Sequence, residues 1–179
     1  MGICVVSFSS RAGRNCSQIG KLICSLLKDS KSFDFAGFGI HPCGKCEYEC
    51  FSDPAECPYS ADMEHRLLDE ITLSELTYFI LPNYCDYPCA NFFIFNERSQ
   101  CYFQGKPELL DAYEKVPKRA IVVSNTNEEN FRQAIAYQAY EKPDILFLSA
   151  KKYGKESIKG DLLTNEKAVS DIIAFVQKQ

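Results

Sequence analysis

Two clusters of residues in this chain have the types and spacing to do chemistry. The first is a run of thiols, His41-Pro42-Cys43-Gly44-Lys45-Cys46-Glu47-Tyr48-Glu49-Cys50, followed by Cys57-Pro58. Cys43, Cys46, Cys50 and Cys57 form a C-x2-C-x3-C-x6-C pattern. Four close-set thiolates can wrap an iron–sulfur cluster or a zinc ion, and Gly44 permits the tight turn between the first two. Thiolates suit both metals, so softness does not choose between them. Free thiols or a disulfide are the other reading. The second cluster is Ser7-Phe8-Ser9-Ser10-Arg11-Ala12-Gly13-Arg14-Asn15-Cys16-Ser17, which feeds a helical pattern. A loop entering a helix presents free N–H groups and the positive end of the dipole, which suits a phosphate. Ser9, Ser10 and Ser17 add hydroxyls, Arg11 and Arg14 add charge, and Asn15 reads as the N-cap. Neither GxGxxG nor the Walker A pattern occurs, which argues against a dinucleotide fingerprint and an NTPase loop and leaves a monophosphate-sized cradle.

These loops need elements to position them. Five short apolar runs stand out: Ile3–Phe8, Phe33–Phe38, Thr77–Leu81, Ala120–Val123 and Ile145–Leu148. Most are continuous rather than alternating, as in parallel strands buried on both faces, and the second is weak enough to be an edge. Helical periodicity falls between them, around Ile19–Leu27, Leu67–Ile71, Phe92–Tyr102, Phe131–Ala139 and Val169–Val176. Alternating strand and helix predicts an α/β doubly wound, five-stranded parallel sheet of order 2-1-3-4-5. The expectation is a single domain over residues 1–179, with a cysteine-rich insertion at about 41–60 and a polar loop or small hairpin at 150–162. In such a sheet, ligands bind beyond the carboxyl ends of the strands, at the switch point of strand order. The loops after strands one, three and four meet there. They bring Tyr84 as an aromatic platform, together with Ser124, Asn125, Thr126 and Asn127.

The first loop resembles the Ser-Pro-Arg-x-x-Gly-Asn-Thr/Ser loop of the NADPH-dependent FMN reductase family, which holds the FMN phosphate. Ser9, Arg11 and Asn15 match directly; Ser10 replaces Pro, and Cys16 replaces Ser or Thr while keeping its backbone N–H. Pro82-Asn83-Tyr84-Cys85-Asp86-Tyr87 is similar to the segment that lines the flavin ring in that family, with Pro82 and Tyr84 matching. The cysteine run resembles that of the iron–sulfur flavoprotein branch, with Asp62-Met63 after it. The resemblance implies a flavodoxin-like fold and FMN on Ser9, Ser10, Arg11, Arg14, Asn15, Cys16, Ser17, Pro82, Asn83, Tyr84, Cys85, Asp86, Ser124 and Asn125. It further implies a [4Fe–4S] cluster on Cys43, Cys46, Cys50 and Cys57, NAD(P)H as electron donor, and a homo-oligomer, dimer or tetramer. The expected function is an FMN-dependent oxidoreductase or electron-transfer flavoprotein. No side chain is named as catalytic, because the cofactor carries the chemistry. The alternative is a flavodoxin-like binding or electron-carrier protein without flavin turnover, its cysteine loop holding zinc or free thiols. Partners would then be small redox molecules or a redox protein.

Composition narrows the classes further. The 179 residues carry a net charge of −4, so no basic face invites nucleic acid. No apolar run approaches membrane-spanning length, and no secretion signal is seen at the N-terminus. The expected location is the cytoplasm. Ten cysteines then favour reduced thiols or metal ligation over a disulfide scaffold. Cys85 and Cys89 flank the expected ring site as candidate redox thiols. Cys101, Cys4 and Cys24 read as small apolar fillers.

Overall fold

The computed structural model describes residues 2–44, 47–53, 57–136 and 144–178. Strands β1 (Ile3–Ser7), β2 (Ser30–Asp34), β3 (Leu76–Tyr84), β5 (Lys118–Ser124) and β6 (Asp144–Ser149) pair in parallel, in the order β2-β1-β3-β5-β6. The two-residue β4 (Tyr87–Pro88) folds back antiparallel onto the end of β3. Without that hairpin the order is the expected 2-1-3-4-5. The helices are α1 (Asn15–Leu26), α2 (Met63–Thr72), α3 (Ala90–Phe103), α4 (Pro107–Lys115), α5 (Glu129–Ala136) and α6 (Glu166–Gln177).

Side-chain alternation along each strand sorts the core onto two faces. Cys4, Val6, Phe79, Leu81, Ala120 and Val122 face α2, α3 and α5. Val5, Tyr78, Ile80, Ile121 and Val123 face α1 and α6. This two-sided burial explains why the central strands read as unbroken apolar runs. The edge strand reads differently. Strand β2 begins at Ser30, three residues before the expected start, because Lys31 and Ser32 lie exposed and carry no apolar signal. Phe35 and Phe38 belong to the following loop, where their rings pack 4.7 Å apart. Helix α4 went unpredicted. It has Pro at N1 but no fully buried residue, so its apolar stripe is faint. The expected helix around Phe131 is present, and its expected extension to residues 138–139 lies outside the described residues.

Candidate functional site

Strand β1 delivers the first loop to the carboxyl edge of the sheet, between β2 and β3, where the strand order changes direction. Phe8 anchors it there. Its N–H donates to the Ile80 carbonyl at 3.0 Å, and its ring lies within 5.5 Å of the rings of Phe35, Phe79, Phe92 and Phe95. The buried Ser9 hydroxyl accepts the Arg11 N–H at 3.1 Å, curling the loop. Gly13 sits at φ 66, a left-handed conformation that favours glycine. Helix α1 starts at Asn15, so the first-turn N–H groups of Asn15, Cys16 and Ser17 have no acceptor within the helix. The Ser17 hydroxyl donates to the Arg11 carbonyl at 3.4 Å, closing the cradle.

Asn15 does not act as expected. Arg14 is the N-cap residue and makes no side-chain cap bond. Asn15 is buried one position inside the helix and serves a different partner. Its amide donates to the Ser157 carbonyl at 2.9 Å, and its carbonyl accepts the Leu162 N–H at 3.0 Å. Asn125 is engaged by the same segment, accepting the Ser157 N–H at 2.9 Å. The expected loop or hairpin at 150–162 is a chain of short 3-10 turns seated on the first loop. Arg14 donates to the Lys159 carbonyl at 2.8 Å. Gly160 sits at φ 74, a left-handed conformation that favours glycine, and a Cβ there would crowd Arg14 Cδ at 2.6 Å. Asn15, Arg14 and Asn125 thus brace the cradle from behind, while Ser9, Ser10, Arg11, Cys16 and Ser17 form it.

Strand β3 runs beyond its partners to Tyr84 and turns through Cys85 and Asp86, at φ 50 and 66. Two side-chain-bearing residues in left-handed backbone cost about 1–2 kcal/mol each, and such strain gathers at functional segments. Tyr84 is 49% exposed beside the cradle; burial raises its hydroxyl pKa, and the Arg11 charge opposes the rise. Asn83 donates to Ser124 at 2.8 Å and to Thr126 at 3.2 Å, which ties the loops after β3 and β5 together. Its carbonyl oxygen and Asp86 Oδ1 are buried without a hydrogen-bond partner among the described residues. Two such orphan acceptors beside an exposed aromatic ring fit a ligand that carries N–H or O–H donors. Cys89 does not fit the role of a redox thiol. It is buried, its Sγ donates to the Phe8 carbonyl at 3.3 Å, and burial pushes its pKa up to about 11. A depression of about 310 Å³ lies one strand over, lined by Thr126, Phe147, Ser149 and Lys152. It is separate from the cradle.

Sequence reasoning missed Asn91. It donates to the Phe8 carbonyl at 2.8 Å and to the Ser10 hydroxyl at 3.0 Å, locking α3 onto the cradle. It also missed Arg98, on the same helix and 1% exposed. The guanidinium pairs with Asp62 and with Glu64, the latter at 3.0 Å, and donates to the carbonyls of His41 and Tyr59 at 3.3 Å. One side chain therefore closes both ends of the cysteine loop. The available signal was a single charge on the buried stripe Phe92, Phe95, Tyr102 of an aromatic helix.

Asp62 is held below the usual carboxylate range. Burial raises it, but N–H bonds from Glu64 and His41 together with Arg98 outweigh that effect. Burial pushes Glu64 the other way, up to about 8, against the pull of Arg98. The ordinary glutamate value is about 4.3, so the folded chain retains a proton that the unfolded chain has lost. The stability this contributes is complete below pH ~4.3 and disappears as pH rises toward 8, by at most about 1.4 kcal/mol per pH unit. Urea melts from pH 5 to 8 should show falling stability in the wild type and a flatter profile in Glu64→Gln.

The expected metal residues are only partly brought together. Cys46 lies outside the described residues, Cys43 is half-buried, and Cys50 and Cys57 are buried. The Cys50 Sγ lies 3.1 Å from the Sγ of Cys101 on α3, which was read as an apolar filler. Two sulfurs on one tetrahedral zinc stand about 3.8 Å apart, given Zn–S bonds of about 2.3 Å, so 3.1 Å is too close for a shared ion. Arg98 approaches Cys57 Sγ at 3.9 Å. Among the described residues, no group of three or more Cys, His, Asp or Glu is arranged to hold a metal ion. The described thiols thus form no metal site by themselves, and Cys46, the fourth expected ligand, lies outside the described residues.

Five parallel strands in this order with helices on both faces define a flavodoxin-like fold. No family model and no curated protein matches the chain by sequence. Solved structures do match it. One is the Trp repressor binding protein from Bacillus subtilis, 14% identical, with 99% of each chain covered and a TM-score of 0.67. Another is FerB, a flavoenzyme NAD(P)H:(acceptor) oxidoreductase from Paracoccus denitrificans, 14% identical over 98% of this chain and 94% of that one, TM-score 0.55. A third is the azoreductase AzrA, 8% identical over 99% and 96%, TM-score 0.55. At these identities the likeness is one of fold.

Proposed function

We propose that this chain is an FMN-dependent oxidoreductase of the NADPH-dependent FMN reductase type, reduced by NAD(P)H in the cytoplasm. The observation that carries the reading is the α1 N-terminus with Ser9, Ser10 and Arg11 at the switch point, next to the strained Tyr84–Asp86 turn. The first-turn N–H groups would take the phosphate, and Arg11 would add charge. Tyr84 would flank the ring, and the orphan acceptors Asn83 Oδ1 and Asp86 Oδ1 would meet its donors. FMN would supply hydride acceptance and onward electron transfer. The chain's part is to bind it, orient it and brace the cradle through Asn15, Asn91 and Asn125. The matched structures named as flavoenzyme and azoreductase support the reading by analogy of fold. Exposed Tyr84 and Tyr87 would be covered in the homo-oligomer that the sequence resemblance implies. An iron–sulfur step forms no part of the proposal, because no metal site is formed among the described residues.

The test is turnover. With FMN added, the purified chain should oxidise NADH or NADPH in the presence of a quinone or azo acceptor. Absence of turnover with either nicotinamide and a range of acceptors would leave the chain a binding or carrier protein.

A further inference from the structure

We propose that Cys50 and Cys101 are a reversible dithiol–disulfide pair, a redox staple between the cysteine loop and α3. The two sulfurs are already in contact at 3.1 Å, closer than a shared metal allows and longer than the ~2.05 Å of a formed disulfide. They come from separate parts of the chain: Cys50 from a three-residue 3-10 turn, Cys101 from the C-terminal half of α3. The Cys50 side chain is itself buried, but the turn that carries it lies at the surface. Tyr48 and Phe51 on either side of Cys50 are 67% and 62% exposed, and Ser52 and Asp53 are exposed as well. Cys101 is buried on the helix behind it. Cys50, on the turn edged by exposed residues, is therefore the sulfur placed to meet a reagent first as the turn opens.

The oxidant is a small-molecule disulfide such as oxidised glutathione. The Cys50 thiolate attacks one of its sulfurs and releases the first thiolate, leaving a mixed disulfide on Cys50. Cys101, losing its proton, attacks the Cys50 sulfur, forms the Cys50–Cys101 bond and releases the second thiolate. Two cysteine thiols are oxidised, one external disulfide is reduced, and the two protons leave with its thiols. The consequence follows from α3 itself. Its N-terminal end holds the Phe8 carbonyl and Ser10 through Asn91, and its middle holds the cysteine loop through Arg98. A bond at Cys101 would fix the loop to the helix that supports the cradle. Transient disulfides of this kind are the usual form in reducing compartments.

The test maps the bond in the full chain. Wild-type protein is incubated with oxidised glutathione, free thiols are alkylated, and a digest is read by mass spectrometry. The expected result is a Cys50–Cys101 cross-linked peptide that dithiothreitol removes. In Cys101→Ser the cross-link should be absent, with Cys50 carrying glutathione instead. Full alkylation of Cys50 and Cys101 after oxidation would overturn the proposal, as would Cys50 cross-linked to Cys43, Cys46 or Cys57. So would protection of the pair that a chelator removes and dithiothreitol does not, because the two would then be metal ligands. The mapping in wild type stands whether or not the variant folds.

Discussion

Replacing Arg98 with methionine is expected to destabilise the chain by about 3–5 kcal/mol, the usual cost of removing one partner of a buried ion pair. Methionine keeps much of the volume but leaves Asp62 without its counter-ion and Glu64 in an apolar setting. The carbonyls of His41 and Tyr59 also lose their donor. Two features of the result would identify the cause. Combining Arg98→Met with Asp62→Asn should recover much of the loss, because the paired charges then leave together. Limited proteolysis of the single variant should cut within residues 41–62 earlier than in wild type, since Arg98 is what closes that loop. A loss below about 1 kcal/mol in urea melts would mean that the pair is worth no more than a surface one.

Phe8→Ala should cost a comparable amount, about 3–5 kcal/mol, from lost transfer energy and the cavity left among four rings. Phe8→Leu should cost clearly less, because much of the volume remains. The position matters as much as the size. Phe8 is the last anchored residue before the cradle, so a cavity beneath it should loosen Ser9 and Ser10 and weaken anion binding beyond any global loss. Urea denaturation measures the first effect. Ligand titration well below the unfolding transition measures the second.

The sheet was legible because its central strands are buried on both faces, which writes long apolar runs into the sequence. Where one side meets solvent, as at Lys31 and Ser32 or along α4, the signal fades and boundaries drift. The first loop was legible as a candidate phosphate site through Ser9, Ser10 and Arg11, whose types suit one. The role of Asn15 was not, because its partners, Ser157 and Leu162, lie more than 140 positions away in the chain. Arg98 and Cys101 were hidden for a similar reason. A buried charge or thiol acquires meaning only from what packs against it, and that is set by how the cysteine loop folds over α3.

The measurement that tests the account most directly is a titration of the chain with FMN and, separately, with riboflavin, followed by quenching of flavin fluorescence. If the α1 N-terminus holds the phosphate, FMN should bind at one per chain and riboflavin at least about tenfold more weakly, a difference of about 1.4 kcal/mol or more. Ala12→Glu adds a carboxylate to the exposed loop without touching the core. It should weaken FMN by a similar factor and leave riboflavin unchanged. Equal affinity for the two flavins, or no binding of FMN to wild-type protein, would contradict the placement of the site.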